Sequence, residues 1–124
     1  MNKVQAYQSF WESFGLTAYD ENTVPDNAME INNGKYITYE MSDSEFGSTV
    51  ALTASLWYKS YSWAEITEKE LFISHEISRG GKLIPCEGGA IWIKKGVPWA
   101  QRMPDASSDM IRRIVLNVEV DFLD

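Results

Sequence analysis

The residues of this chain that could carry chemistry are few and stand apart from one another in the sequence. The one histidine, His75, lies in a helical segment with no second His or Cys at the i+4 position that a helical zinc site uses. The one cysteine, Cys86, follows Pro85, and Lys82 is a poor source of the positive charge that a catalytic thiolate needs. We therefore predict structural roles for both side chains, with no catalytic residue, no metal site and no enzymatic activity.

Carboxylates are more numerous than thiols or imidazoles, but their spacing fits no known chemistry. A paired-carboxylate mechanism is an open alternative, although none of the acidic loops has the alternating Asp/Asn pattern and distal Glu of a calcium loop. The glycine pairs lack the lysine and serine of a phosphate loop, which indicates turns and no bound cofactor. The acidic loop residues are Asp20, Glu21, Asp26, Glu30, Asp43, Glu45, Asp105 and Asp109.

Composition narrows the possible partners. The net charge of -7 over 124 residues disfavours adhesion to DNA, RNA or an anionic membrane, because phosphate binding needs clustered Lys and Arg. A lone cysteine excludes an internal disulfide, and no run of about 18 apolar residues occurs, so we expect a protein that is made in the cytoplasm and spans no membrane. A basic patch hidden by the net charge would have to use Lys94, Lys95, Arg102, Arg112 and Arg113.

The first half of the chain predicts a helix, a loop and a hairpin. Large apolar residues from Val4 to Phe14 recur at helical spacing, and Gly15 stands where a left-handed helix cap would lie. Residues 18–34 predict a long loop, with a short strand around Met29 to Ile31. Residues 36–41 and 49–58 alternate as strands, joined by turn-forming residues 42–47.

The second half predicts a helix and three strands. A capping-box pattern at Ser62 to Glu65 begins a helix that runs to about Ser78, with an apolar stripe of Ile66, Ile73 and Ile77. Residues 82–86 predict a short strand at a sheet edge or a bulge, because Pro85 cannot donate to a ladder, and residues 87–89 predict a tight turn. Residues 90–95 predict the next strand, residues 96–109 an irregular excursion, and residues 111–123 a final strand that alternates between two faces.

These elements predict an α+β fold, in which residues 1–124 form a single domain with two helices packed on a largely antiparallel sheet. Trp11 and Trp92 fall on apolar faces and are expected in the core. Trp57 and Trp99 are candidates for a contact surface. Residues 96–109 are expected to be mobile in the free subunit and ordered by a partner. The candidate residues for an interface with another protein molecule are Trp57, Trp99, Arg102, Asp105, Arg112 and Arg113.

Two segments of the last third resemble a known family. Residues 88–102 read GGAIWIKKGVPWAQR and residues 111–120 read IRRIVLNVEV, and both are similar to the C-terminal half of small tail-completion proteins of tailed bacteriophages and prophages. Residues 24–26 and 36–39 are similar to the first half of that family. The resemblance covers the chain from about residue 20 to its end.

The resemblance implies a structural protein of the virion tail or neck, made in the host cytoplasm and without catalysis or cofactor. Such a tail terminator forms a homohexameric ring on the end of the tail tube and joins it to the head connector or head-completion protein. A head-tail connector or a minor tail component is the nearest alternative. From other classes, a carbohydrate- or peptide-binding module built on the aromatic residues is a further alternative, followed by a small hydrolase.

Overall fold

The computed structural model describes residues 1–42, 48–104 and 110–124, which form one mixed sheet with helices against it. Its six strands lie in the order β1-β2-β3-β6-β5-β4, and every neighbouring pair is antiparallel except β1 and β2. The α+β prediction is thereby confirmed. The elements are α1 Lys3–Glu12, β1 Ala18–Asp20, α2 Ala28–Ile31, β2 Lys35–Tyr39, β3 Thr49–Lys59, α3 Ala64–Ile77, β4 Lys82–Cys86, β5 Gly89–Pro104 and β6 Ile111–Leu123.

Helix α1 forms where the aromatic spacing predicts it. Asn2 and Gln5 cap its start reciprocally: the Asn2 side chain accepts the Gln5 backbone N–H at 2.8 Å, and the Gln5 side chain accepts the Asn2 N–H at 3.0 Å. The apolar stripe buries Tyr7, Phe10 and Trp11. This helix therefore supplies a large aromatic contribution to the core.

Helix α3 has the predicted extent but not the predicted cap. The expected capping box from Ser62 is absent, because Trp63 occupies the N-cap position and makes no side-chain capping bond. The Ser62 hydroxyl instead accepts the Ala64 backbone N–H at 3.1 Å, whereas a capping box would use the N–H of the following residue, Glu65. The predicted stripe is confirmed, since Ile66, Ile73 and Ile77 are fully buried.

The segment from residue 18 to residue 34 is more ordered than the sequence predicts. Strand β1 pairs in parallel with β2, and residues around Met29 form the short helix α2 in place of the expected strand. Backbone bonds from Glu30 and Ile31 back to the Asn27 carbonyl define that turn of helix. The Asn32 side chain then donates to the Ala28 carbonyl and to the Tyr19 hydroxyl, both at 2.8 Å, which ties α2 to β1.

Strand β5 corrects the prediction of an irregular excursion after Lys95. The strand continues to Pro104 because β6 keeps pairing with it beyond an irregularity between Lys95 and Ala100. The Asn117 side chain of β6 holds this bulge by donating to the Pro98 carbonyl at 3.0 Å. Residues 105–109 of the predicted excursion, and residues 43–47 of the predicted hairpin turn, lie outside the described residues.

The two faces of the sheet differ because β3 and β6 alternate strictly. Helices α1 and α3 both belong to the core on one face, which we call the helix-covered face. The other side, which these two helices leave uncovered, is called the open face. As predicted, the buried residues of β6 are Ile114, Leu116, Val118, Val120 and Phe122, all on the helix-covered face.

The predicted edge strand and turn in the last third are confirmed. Strand β4 is the outermost strand of the sheet, and Pro85 lies exposed on it. A turn at Glu87 and Gly88 leads into β5. At Gly89 a Cβ atom would lie 1.8 Å from the Leu123 carbonyl oxygen, so only glycine allows β5 and β6 to approach here.

Candidate subunit interface

The predicted interface residues separate into two groups on opposite sides of the sheet. Trp57 and Arg113 lie in register on β3 and β6 and point to the open face. Arg102 and Arg112 lie on the helix-covered side, near the start of α3. Because successive strand residues point to opposite faces, the neighbours Arg112 and Arg113 lie on different faces of the sheet. Asp105 lies outside the described residues.

On the open face, Trp57 is enclosed by its neighbours across the strands. The Tyr36 ring lies nearly parallel to it, with centroids 6.1 Å apart, and the Arg113 guanidinium lies over its ring at 4.6 Å from the centroid. The Trp57 indole donates to the Thr38 hydroxyl at 2.9 Å, and Arg113 Nε donates to the Ser55 hydroxyl at 3.1 Å. This lateral packing buries two polar strand residues without a covering helix.

The aromatic row extends to the edge of the sheet. Tyr19 of β1 meets the Tyr36 ring edge to face, with centroids 5.9 Å apart. Burial, followed by nearby Tyr19 and Glu30, raises the pKa of Tyr36 above the usual tyrosine range. The row across β1, β2, β3 and β6 is therefore Tyr19, Tyr36, Trp57 and Arg113.

On the helix-covered side, two arginines converge on one indole. The guanidinium carbons of Arg102 and Arg112 lie 4.8 and 5.4 Å from the centroid of the Trp63 ring. Arg102 also donates to the Thr67 hydroxyl at 3.3 Å, and Arg112 donates to the Tyr61 carbonyl at 2.8 Å. Sequence patterns do not single out Trp63 for an interface, because its place in an apparent capping box predicts a purely local role.

Trp99 does not belong to an exposed contact surface. Its ring packs against the core and its indole donates to a Glu70 carboxylate oxygen of α3 at 3.2 Å. The bulge in β5 thus fastens the strand to the helix through this side chain. Beside it, Val97 projects from the bulge and is 98% exposed.

Trp92 corrects the core prediction made for it, whereas Trp11 confirms its own. Trp92 is 36% exposed and its indole donates to the Gly80 carbonyl at 2.8 Å, while Trp11 is fully buried. Trp92 lies opposite Asp121 in the ladder, on the side away from the buried residues of β5. The period-2 pattern of the strand places it there, because its neighbours on both sides, Ile91 and Ile93, are buried.

The lysines of the predicted basic patch are engaged elsewhere. Lys94 pairs with Asp121 at 3.2 Å and lies over the Trp92 ring, whereas Lys95 donates to the Ser74 hydroxyl at 2.9 Å on the other side of the sheet. A hydrogen bond from Thr49, and then the contact with Lys94, lower the pKa of Asp121. The five basic residues therefore do not form one continuous patch.

The side chains considered for catalysis or metal binding do not come together into a site in the described part of the chain. His75 is exposed on α3, and Cys86 is a half-buried free thiol on the edge strand. In residues 1–42, 48–104 and 110–124, no group of three His, Cys, Asp or Glu side chains is arranged to hold a metal ion. An open groove of about 320 Å³ beside α3 is lined by Lys35, Tyr58, Glu65, Glu68, Lys69 and Phe72.

Comparison with known proteins does not identify a family for this chain. No protein-family model, curated protein or solved structure matches the chain. Within the described residues, no helix is both long enough and apolar enough to cross a membrane.

Proposed function

We propose that this protein is a structural component of a bacteriophage tail or neck, assembling as a homohexameric ring that terminates the tail tube and joins it to the head connector. The proposal assigns it to the virion, after synthesis in the host cytoplasm. Its partners are then further copies of itself, the tail tube protein and the head connector or head-completion protein. It needs no catalytic group or cofactor.

The observation that carries this proposal is that helices α1 and α3 cover only one face of the sheet. The two segments that resemble tail-completion proteins form β5 and β6, which are adjacent strands, and both long helices pack on one side of them. The open face carries Trp57 and Arg113. Trp and Arg are the residue types that most often anchor contacts between proteins. This arrangement supports a role in assembly.

Electron microscopy of the assembled structure tests the proposal. The protein is mixed with tubes of the tail tube protein encoded in the same genome, and tube ends are imaged while light scattering measures the mass of the free protein. We expect a ring at one end of each tube and a species near six subunits in solution. A strict monomer under both conditions, with bare tube ends, would contradict the proposal.

A matched variant controls this experiment. His75→Gln combined with Cys86→Ser changes the two residues for which we predict structural roles, and both lie away from Trp57 and Trp63. Rings should form as they do with the wild type. Loss of rings in the folded double variant would instead revive a role for the thiol or imidazole.

The same preparation separates the nearest alternatives. A tail terminator should bind the tube end in the absence of heads, whereas a head-tail connector should bind the purified head or portal complex in the absence of tubes. A minor tail component should bind tubes along their length or at the other end. Binding to heads alone would replace the terminator assignment with the connector assignment.

A further inference from the structure

One end of the sheet carries positively charged strand residues. Strand β2 begins there, β3 and β5 end there, and β6 begins there, as the pairing register requires. Every charged strand residue at these described ends is basic, and one of them, Lys35, pairs with Glu65 of α3 at 3.3 Å. We call this set the basic end, and it consists of Lys35, Lys59, Arg102, Arg112 and Arg113.

Two members of the basic end are held ready for contact. Arg102 and Arg112 lie over the Trp63 ring, and each has one guanidinium nitrogen fixed by Thr67 or by the Tyr61 carbonyl. Three ion pairs occur among the described residues, and none of them involves an arginine. A guanidinium restrained on an aromatic ring loses less conformational freedom when it binds a carboxylate.

The opposite end of the same sheet is mainly acidic. Strands β1 and β2 end there, and β6 finishes there. Lys94 and Lys3 also lie at this end: Lys94 pairs with Asp121 at 3.2 Å, and the Lys3 ammonium lies over the Phe122 ring, 5.2 Å from its centroid. Glu21, Glu119 and Asp124 are exposed. We call this set the acidic end, and it consists of Asp20, Glu21, Glu40, Glu119, Asp121 and Asp124.

We propose that the basic end of one copy binds the acidic end of the next copy, with Arg102 and Arg112 on Trp63 as the anchor. This inference rests on the proposed function, because it specifies the contact that would build the ring. A contact between two different surfaces of one chain propagates head to tail and closes into a ring when its rotation permits. Charge-assisted bonds between guanidinium and carboxylate supply strength and orientation.

Charge complementarity favours a second copy over a nucleic acid as the occupant. The chain as a whole carries a charge of -7, so duplex DNA approaching the basic end also meets the repulsion of the rest of the molecule. A second copy can present its acidic end while its remaining charges stay in solvent. The partner is therefore predicted to be a protein carboxylate surface of this same chain.

Charge reversal tests this contact. Arg102→Glu with Arg112→Glu should weaken self-association at least about tenfold, since like charges would then face each other. Arg79→Glu with Lys82→Glu is the matched control, because it changes the net charge equally on residues outside the basic end. Association is measured by sedimentation, and circular dichroism checks that both variants are folded. The control should associate within about twofold of the wild type.

A complementary variant keeps the test decisive. Glu21→Arg with Glu119→Arg reverses the acidic end and should also fail to associate alone. Mixed with the Arg102/Arg112 reversal variant, it should recover association, because alternating copies bring opposite charges together at every contact. An alternating arrangement can close only in rings with an even number of subunits.

The outcomes separate the inference from the proposed function. The inference alone would be overturned if the Arg102/Arg112 reversal variant formed rings as the wild type does. It would also be overturned if the two folded variants failed to restore association when mixed. Saturable DNA binding that disappears in the same variant would also overturn it, because the basic end would then serve phosphate. A wild type that forms no ring with or without tubes would overturn both.

Discussion

The two faces of the sheet bury their side chains in different ways. On the helix-covered face, aliphatic residues of β3 and β6 such as Leu56 and Leu116 are fully buried beneath two helices. On the open face, Trp57 and Arg113 cover polar Thr38 and Ser55 through contacts that run sideways across the strands. Burial without a second layer therefore requires large side chains that pack along the sheet and donate hydrogen bonds to what they cover.

The largest expected difference between the faces is in core packing. Leu116→Ala should lower the free energy of unfolding by about 3 kcal/mol, because a fully buried Leu loses its contacts and leaves a cavity. Val115→Ala, one residue earlier on the open face, should cost less than about 1 kcal/mol. Urea denaturation measures both. Equal losses would show that the open face is packed as tightly as the core.

Alkaline pH provides a second test of the helix-covered face. Burial there, reinforced by Glu65 and Glu68, raises the pKa of Tyr58 from 10.0 to about 12. The folded state thus keeps the proton to higher pH than the unfolded state, so this contribution is complete below about pH 10 and is lost as pH rises through about 12. A difference of this size between the folded and unfolded pKa corresponds to at most about 2.7 kcal/mol, and solvent screening lowers the expected contribution to about 2 kcal/mol.

Tyr58→Phe isolates this effect. The variant should lose about 2 kcal/mol less stability than the wild type between about pH 10 and about pH 12. Denaturant unfolding at several pH values measures the difference, with each protein compared against its own stability at neutral pH. Parallel pH profiles for the two proteins would mean that water reaches the Tyr58 hydroxyl in the folded state.

Arg113 and Arg102 both belong to the basic end, but Arg113 points to the open face and Arg102 to the helix-covered side. Arg113→Ala should cost about 1 kcal/mol of stability, because it uncovers Trp57 and removes the donor to Ser55. Arg102→Ala removes an exposed side chain and should cost less than about 0.5 kcal/mol. Thermal unfolding compares the two. A greater cost at Arg102 would assign it to stability of the single subunit and weaken its role as an anchor.

The smallest expected effect concerns a buried hydroxyl. Tyr7 is fully buried, and its hydroxyl lies beside the Trp11 indole N–H without the geometry of a hydrogen bond, while neither group has another partner among the described residues. Tyr7→Phe should therefore change the free energy of unfolding by less than about 0.5 kcal/mol, or increase it. Tyr7→Ala, which also removes the ring, should cost about 3 to 5 kcal/mol. A large loss in the Phe variant would reveal a hydrogen bond to the hydroxyl.

Sequence patterns predict those parts of the fold that repeat with a clear period. Strict alternation in residues 111–123 predicts both faces of β6, and helical spacing predicts α1 and α3. Short elements contain too few residues to show such a period. Strand β1 has three residues and exists through its pairing with β2, and α2 has four residues that Asn32 fastens to Tyr19.

The candidate interface is only partly readable from sequence, because it depends on packing between distant segments. The alternation of β6 already implies that Arg112 and Arg113 point to opposite faces. That Trp63 receives both Arg102 and Arg112 depends on where α3 begins relative to the ends of β5 and β6. The continuation of β5 past Gly96 and Pro98 likewise follows from pairing with β6, against the local preference for a turn.

Hydroxyl-radical footprinting of the free and ring-assembled protein shows whether subunits meet at the basic end of the sheet. Tyr61 and Met103 lie beside the basic end and are 73% and 39% exposed, whereas Leu71 on α3 is 59% exposed. We expect assembly to protect Tyr61 and Met103 from oxidation and to leave Leu71 as reactive as before. Protection of Leu71 with unchanged Tyr61 and Met103 would contradict this expectation and place the interface on the helices.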